Sequence, residues 1–438
     1  MRRNGVIERV AFTKEMKKTH TILVPQMLPI HFDLIAKVFK QDGYNVEVLK
    51  TDHKGIAEEG LQSVHNDTCY PALLVIGQFI DALKSGKYDA DKTALLITQT
   101  GGGCRASNYI YLLRKALVKN GFTNVPVLSL NFSGLEKNSG FKMSLRVFTK
   151  IVYSLLYADF LMCISNQVIP YEKTKGDAKA LVEKWTEKLL NQMETPLFVR
   201  LSRNYKAILN DFSNIEADRS AKKVKVGIVG EIYLKYAPLG NNNLEEYLVS
   251  EGAEVVNSGL LDFVMYCVYN RLFDKKIYGT GGMGYLGFKL AAGFLVKKQR
   301  QMVKTIKGHG MFTAPADFEK VVTMSQGYVD HGVKMGEGWL LTAEMLELIH
   351  SGVQNIISAQ PFGCLPNHII ARGMVRKIKD NFPEANIVAV DYDPGASRIN
   401  QENRIKLMLA TAKLNMGVSQ LKYEEVPEIH EAEEKVFA

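Results

Sequence analysis

The stretch Leu96-Ile97-Thr98-Gln99, which precedes Cys104, has a counterpart in Ile357-Ser358-Ala359-Gln360, which precedes Cys364. Each stretch is a short, largely apolar run typical of a buried strand, and each leads through glycine to a cysteine. Ligand crevices of open parallel sheets form at the carboxyl ends of the strands. We therefore interpret the chain as two similar α/β domains, each of which sends a cysteine from that end of its sheet.

Strands and helices alternate around these two stretches. Short apolar strands joined by helices are typical of a parallel sheet that is covered on both faces. The predicted strands are His20–Met27, Tyr44–Leu49, Thr93–Gln99, Val125–Asn131, Val226–Gly230, Glu254–Ser258, Asn355–Gln360 and Asn386–Asp391, and the predicted helices of the first half are Phe32–Lys40, Pro71–Lys84 and Asn108–Lys119.

The pattern of predicted secondary structure changes twice along the chain. From about Val147 to Asn214 the pattern is helical with charged faces, and the α/β alternation restarts at about Lys222. We predict a first α/β domain at 1–146, a helical segment at 147–221, and a second α/β domain at 222–438 with a long helical insertion. The cleft between the two α/β domains is the expected active site.

The composition is typical of a soluble globular protein: of the 438 residues, 46% are hydrophobic and 23% are charged. The longest apolar stretch, Ile151–Ile164, is too short to span a bilayer and contains Asp159. The charged start at Arg2 and Arg3 lacks a signal-peptide core. A cytoplasmic protein without a membrane segment is therefore expected.

The charge of the chain is uneven. The net charge is +9, and the last residues, 424–434, are rich in glutamate and predict a polar, frayed end. One basic run has no acid within it, which indicates a solvated helix face or a patch for an anionic ligand or acidic partner. Nucleic acid is not expected, because no recognisable binding motif is present. The run consists of Lys297, Lys298, Arg300, Lys304 and Lys307.

The five cysteines fall into two groups. Cys163 and Cys267 lie in apolar runs, where an inert core thiol is expected. Cys69, Cys104 and Cys364 lie beside glycine or proline, at the apparent starts of helices. A helix N-terminus stabilises a thiolate and any anionic group that thiolates hold. We therefore expect these three to converge on one metal centre.

The cysteine spacing leaves the kind of metal open. No C-x-x-C pair is present, so disulfides, zinc ribbons and ferredoxin-type loops are not expected. Three thiolates with His65 or His368 would make a structural zinc site, although such sites normally use a short-spaced pair. An iron–sulfur cluster with one iron left open fits the long spacing better.

Other motifs have simpler interpretations. Gly282-Met283-Gly284-Tyr285-Leu286-Gly287 lacks a preceding strand and is interpreted as a loop or helix-packing feature, and the chain has no P-loop. Glu337 and Glu344 are candidates for catalytic acids, but first-turn capping is the preferred assignment. Asp393 and Ser397 are assigned to turn and capping chemistry after a strand.

Together the cysteine contexts resemble the 2-hydroxyacyl-CoA dehydratase and benzoyl-CoA reductase superfamily. The resemblance is to the module that many anaerobes carry fused behind a CoA enzyme activase. It covers nearly the whole chain and is carried by Thr21–Met27, His31-Phe32, Asn66–Pro71, Gln99–Arg105, Asn108-Tyr109, Glu337–Thr342, Gln360–His368, Asp391–Gly395 and Asn400–Arg404.

The resemblance implies two flavodoxin-like parallel-sheet domains with additional helices, and a [4Fe-4S] cluster in the cleft between them. Carried over to this sequence, the cluster ligands are Cys69, Cys104 and Cys364, while no catalytic residue is assigned. The resemblance also implies an ATP-hydrolysing activase with its own iron–sulfur cluster, here expected as a separate chain. A CoA ester is the implied substrate, and a homo- or heterodimer the implied assembly.

Three functions follow as expectations. The first is an enzyme, an iron–sulfur reductase or dehydratase subunit that uses low-potential electrons from the activase. The second is a non-catalytic electron-transfer or regulatory subunit of such a system. The third is a zinc-stabilised binding protein without a redox role.

Overall fold

A computed structural model describes residues 9–65, 67–99, 103–131, 140–280, 282 and 284–419 of the chain. Within them lie eight strands in two separate sheets. The strands are β1 (Thr21–Pro25), β2 (Asn45–Leu49), β3 (Thr93–Gln99), β4 (Val127–Asn131), β5 (Lys225–Gly230), β6 (Glu254–Val256), β7 (Asn355–Pro361) and β8 (Asn386–Tyr392).

The two sheets have the same topology, and all of their pairs are parallel. The order is β2-β1-β3-β4 in the first sheet and β6-β5-β7-β8 in the second. Ile22 lies between Val46 and Ala94, and these apolar positions are buried because helices cover both faces. The predicted α/β class with two flavodoxin-like parallel sheets is confirmed.

Apart from short 3₁₀ and π-helical turns, the rest of the regular structure in the described residues is α-helical. The α-helices are α1 (Met16–Thr19), α2 (Pro29–Gln41), α3 (Gly55–Ser63), α4 (Tyr70–Lys84), α5 (Tyr109–Lys119), α6 (Leu145–Asn166), α7 (Asp177–Gln192), α8 (Leu201–Ser213), α9 (Ile232–Tyr236), α10 (Pro238–Asn241), α11 (Leu244–Ser250), α12 (Leu260–Tyr278), α13 (Gly284–His309), α14 (Phe318–Met324), α15 (Trp339–His350), α16 (Val375–Asn381) and α17 (Arg398–Ser419).

The helical segment α6–α8 and the insertion α12–α15 share one apolar core. This core includes Val24 of the first sheet and residues of four helices, namely Leu156 of α6, Leu209 of α8, Met265 of α12 and Trp339 of α15. Helix α6 is long and apolar enough to cross a membrane, yet most of it is buried inside the protein, as in the core helix of a soluble protein. The insertion between β6 and β7 therefore completes the layer that α6–α8 begin.

Two motif interpretations can be compared with the fold. Helix α13 begins at Gly284 after helix α12, with Gly282 between them, so the glycine motif follows a helix and not a strand. Residues 281 and 283 lie outside the described residues. Asp393 accepts a hydrogen bond from the Gly395 N–H at 2.7 Å in the turn after β8, as turn chemistry requires. The glutamate-rich end at 424–434 lies outside the described residues.

Candidate functional site

Cys69, Cys104 and Cys364 line one cavity of about 440 Å³ between the two sheets. Cys104 follows β3 and Cys364 follows β7, which hold the same position in their sheets. In each sheet this strand pairs with the first strand of its half, where the chain order reverses and ligand crevices of such folds form. The cavity therefore lies where the topology of both halves predicts a ligand.

Each of the three cysteines stands directly before a helical segment. Cys69 is the N-cap residue of α4, and Cys104 is the N-cap residue of a 3₁₀ turn, Arg105–Asn108, that leads into α5. Cys364 precedes a helical segment whose first hydrogen bond runs from the His368 N–H to the Cys364 carbonyl at 3.0 Å. The partial positive charge of three helix starts is thus directed toward one cavity.

The protonation of the thiols is set by two opposing effects. Burial raises the pKa of all three, that of Cys69 to about 11. The backbone N–H groups of Ala72, Ala106 and Asn367 lower the pKa of the thiol in front of them. A bound cation would favour the thiolate forms against this burial, and the N–H groups act in the same direction.

The segment around Gly336 closes the cavity between the two sheets. Gly336 has a φ of +60°, and a Cβ there would lie 3.1 Å from the Pro366 ring and 3.9 Å from Cys104 Sγ. Next to it, Met335 Sδ accepts a hydrogen bond from the Gly103 N–H at 3.0 Å. Only glycine combines this backbone conformation with so close an approach.

Two carboxylates, the half-buried Glu231 and the buried Glu337, also line the cavity. Glu231 follows β5 and caps α9, where its Oε2 accepts from the Leu234 N–H at 2.9 Å. Glu337 Oε1 accepts from the Ile232 N–H at 3.0 Å, so both carboxylates meet at the start of α9. Burial, and then the charge of Glu337, raises the pKa of Glu231 to about 8, and burial raises that of Glu337.

The first-turn capping assignment for Glu337 and Glu344 was wrong. Gly338 is the N-cap residue of α15, and Glu337 binds the start of α9 instead. Glu344 Oε1 pairs with Lys235 Nζ at 2.8 Å, both almost fully buried, and accepts from Ser258 Oγ at 2.5 Å. This interaction links α9, the loop after β6 and α15 behind the cavity.

Part of the cavity extends into the first half of the chain between α2 and the sheet. Phe32 and Ile35 of α2 face it across from Val46 and Val48 of β2. The described residues that line this part are apolar, so water gains little by entering it. The cavity thus joins three thiols and two carboxylates to an apolar chamber.

The remaining sulfur and imidazole candidates lie elsewhere. Cys163 and Cys267 pack beside the core on α6 and α12, and burial raises the pKa of each to about 12. His65 is exposed and His368 lies in a helical turn beside Phe362. Neither histidine nor either of these cysteines is among the described residues that line the cavity.

The thiols share the cavity without forming a site for a single ion. Among the residues that the structure describes, no three or more His, Cys, Asp or Glu side chains form a group that could hold a metal ion. A zinc site of three thiolates and a histidine would need such a group.

Sequence reasoning missed Glu231 and the role of Tyr109. Glu231 follows Gly230 at the end of β5, the position in the second sheet where a ligand residue is expected, and this could have identified it. Tyr109 stands five residues after Cys104, and its hydroxyl lies 3.0 Å from Cys69 Sγ. That contact joins residues 40 positions apart and has no local pattern.

Comparison with known proteins adds no assignment to this site. The chain matches no model of a known protein family, and a search of the curated proteins found no match to it.

Proposed function

We propose that the chain is an iron–sulfur subunit of the reductase or dehydratase type, with a [4Fe-4S] cluster held by Cys69, Cys104 and Cys364. The observation that carries the proposal is the meeting of these three cysteines, from distant parts of the sequence, in one cavity at the carboxyl ends of two sheets. The two remaining cysteines, Cys163 and Cys267, lie away from it on helices of the core.

The donor set suits such a group. A cubane cluster presents separate iron atoms at its corners, so its thiolates stand apart around it and need not close on one ion. Three thiolates leave one iron open, and the bound cluster would supply that open iron together with a low-potential electron. Three helix starts with N–H groups toward the sulfurs favour an anionic group.

A buried anionic group is difficult to reduce, because added charge in an apolar cavity is poorly solvated. A strong electron donor is therefore needed, which supports a separate activase that uses ATP and carries its own iron–sulfur cluster. The chain's own residues contribute the surroundings. The apolar chamber excludes water, and Glu231, whose raised pKa keeps a proton on its carboxyl group near neutral pH, holds a proton beside the thiols.

The substrate proposed is a CoA ester or another small molecule, whose reacting end the cavity would admit. The assembly proposed is a homo- or heterodimer in an anaerobic cytoplasm. A purely electron-transferring or regulatory subunit would have no use for the chamber that adjoins the thiols, so the cavity favours the enzyme over that alternative. The zinc-stabilised alternative lacks a single-ion ligand group among the described residues.

The proposal is tested by purifying the full chain without oxygen and measuring its colour, iron per chain and electron paramagnetic resonance spectrum. We expect about four irons in the unaltered protein. Cys69→Ala, Cys104→Ala and Cys364→Ala should each lose most of the iron, because each removes a ligand.

Cys163→Ala and Cys267→Ala are the matched controls and should keep their iron. Full iron in the Cys104→Ala protein would contradict the ligand assignment, and zinc in place of iron would favour the binding protein.

A further inference from the structure

Two of the three sulfurs in the cavity are contacted by a polar side chain. The Tyr109 hydroxyl lies 3.0 Å from Cys69 Sγ, and Asn367 Nδ2 donates to Cys364 Sγ at 3.3 Å. Both contacts are buried. One comes from each half of the chain, so the arrangement is repeated around the cavity.

Tyr109 donates in the first contact once Cys69 is ionised. It is the first residue of α5 and is 8% exposed. A thiolate has no proton to donate, so the Tyr109 O–H donates and the sulfur accepts whenever Cys69 is a thiolate.

Asn367 is the donor in the second contact. It is fully buried and begins a π-helical turn, Asn367–Ala371, a rare form that is frequent at functional sites. Its Oδ1 has no hydrogen-bond partner among the described residues. Burying an amide is costly unless it is hydrogen-bonded, so the orientation of its Nδ2 toward Cys364 needs a reason beyond packing.

We propose that Tyr109 and Asn367 are positioning residues that donate hydrogen bonds to the Cys69 and Cys364 sulfurs and so raise the reduction potential of the group those sulfurs hold. The inference rests on the proposed function. Reduction by one electron from the activase adds negative charge to the sulfurs, and a donor stabilises the reduced state more than the oxidised state. The hydrogen bonds strengthen without proton transfer.

The test is a redox titration of the anaerobically prepared full chain, followed by electron paramagnetic resonance. Tyr109→Phe removes the hydroxyl and keeps the ring. The ratio of reduced to oxidised protein at a fixed potential should fall about fivefold. For a one-electron couple this equals a decrease of about 40 mV in the reduction potential. Asn367→Ala should shift the potential in the same direction. The control is Tyr111→Phe on the same helix, whose ring is 62% exposed.

A purely structural role would change stability but not the potential. Equal potentials in Tyr109→Phe, Tyr111→Phe and the unaltered protein would therefore overturn the inference while leaving the iron content, and the proposed function, intact. Iron absent from the unaltered protein would overturn both. If Tyr109→Phe binds too little iron to titrate, alkylation of Cys69 in the metal-free protein decides: a rate about tenfold below that of Tyr111→Phe supports the donor role, and an equal rate refutes it.

Discussion

At the scale of single residues, the cavity brings together acidic groups that are costly to charge. Glu337 is buried and Glu231 is half-buried, and burial, followed by the charge of Glu337, raises the pKa of Glu231. The N–H groups at the start of α9 compensate in part, since each carboxylate accepts one of them. Such pairs are typical of functional sites, where proton affinity is matched to a task.

Replacing Glu231 with Gln should change how stability depends on pH. The pKa of Glu231 is raised from its usual 4.5 to about 8 in the folded protein. Between these values the unfolded chain has released the proton and the folded chain retains it, so the stability falls as pH rises. With both proteins free of metal, the unfolding free energy of the unaltered protein should fall more steeply with pH than that of Glu231→Gln. The difference should be up to about 1.4 kcal/mol per pH unit between about pH 5 and 8.

The measurement is urea unfolding at several pH values. The control is Glu183→Gln, which removes an exposed carboxyl group from α7 and leaves the cavity unchanged. Parallel pH profiles for the unaltered protein and Glu231→Gln would contradict the prediction.

At the scale of elements, local sequence patterns predicted most of the strands and helices but not the contacts between them. Strand β3 was predicted with its observed bounds, and β6 was predicted two residues too long, because Ser258 turns away to bind Glu344. Helix α3 was missed, although Ile56 and Gly60 lie on its buried face. Apolar periodicity is a local property, so it located the elements well.

Contacts between distant elements could not be read from the sequence. His31 Nε2 lies 2.6 Å from Asp159 Oδ1 across 128 residues, and no spacing rule connects them. The cysteines were identified because glycine, proline and a helix start mark each of them locally. Glu231 follows Gly230 at the end of a strand and could have been identified in the same way, whereas the contact of Tyr109 with Cys69 comes only from the fold.

Asp159 should contribute strongly to stability, because it joins three elements. Its two oxygens accept from the Leu260 and Leu261 N–H groups at 2.8 Å each and so bind the start of α12, while Oδ1 also contacts His31 of α2. Asp159→Ala leaves these buried groups unpaired and should lower the unfolding free energy by about 3–5 kcal/mol.

The matched control for Asp159 is Asp33→Ala on α2. Asp33 pairs with Lys50 at 2.9 Å near the surface, where ion pairs contribute about 1 kcal/mol or less. Urea unfolding of the two variants checks the difference, and similar losses would show that the buried interaction adds nothing.

At the scale of the whole molecule, the basic run of α13 forms an exposed stripe. Lys297, Arg300, Lys304 and Lys307 are exposed, and their spacing places them on one face of the helix. Lys298 does not belong to the stripe, because it is half-buried and lies over the rings of Tyr153 and Phe294. Arg300 also pairs with Glu319, so its charge is partly neutralised. Within the described residues, the positive charge of the stripe therefore comes mainly from its three lysines.

Reversing Lys297 and Lys304 to Glu should slow reduction by the proposed activase, or weaken binding of the proposed CoA ester, while iron content stays unchanged. The effect should grow at low ionic strength, because charges are screened over about 8 Å at physiological salt. The control is the reversal of Lys184 and Lys188, two exposed lysines of α7, which changes the net charge equally. Equal rates for the two double variants at low salt would show that the stripe is an ordinary solvated face.

The two largest apolar cores of the described residues have a consequence for how a ligand enters the cavity. One core joins the first sheet to α6–α8 and α12–α15, and the other joins α4 and α5 to α9, α11 and α17. Opening the cleft by a hinge would have to separate this packing, at a cost that grows with the apolar area exposed. Entry is therefore expected through small movements of the rim, where Met335 and Leu365 are exposed, while the two halves stay together.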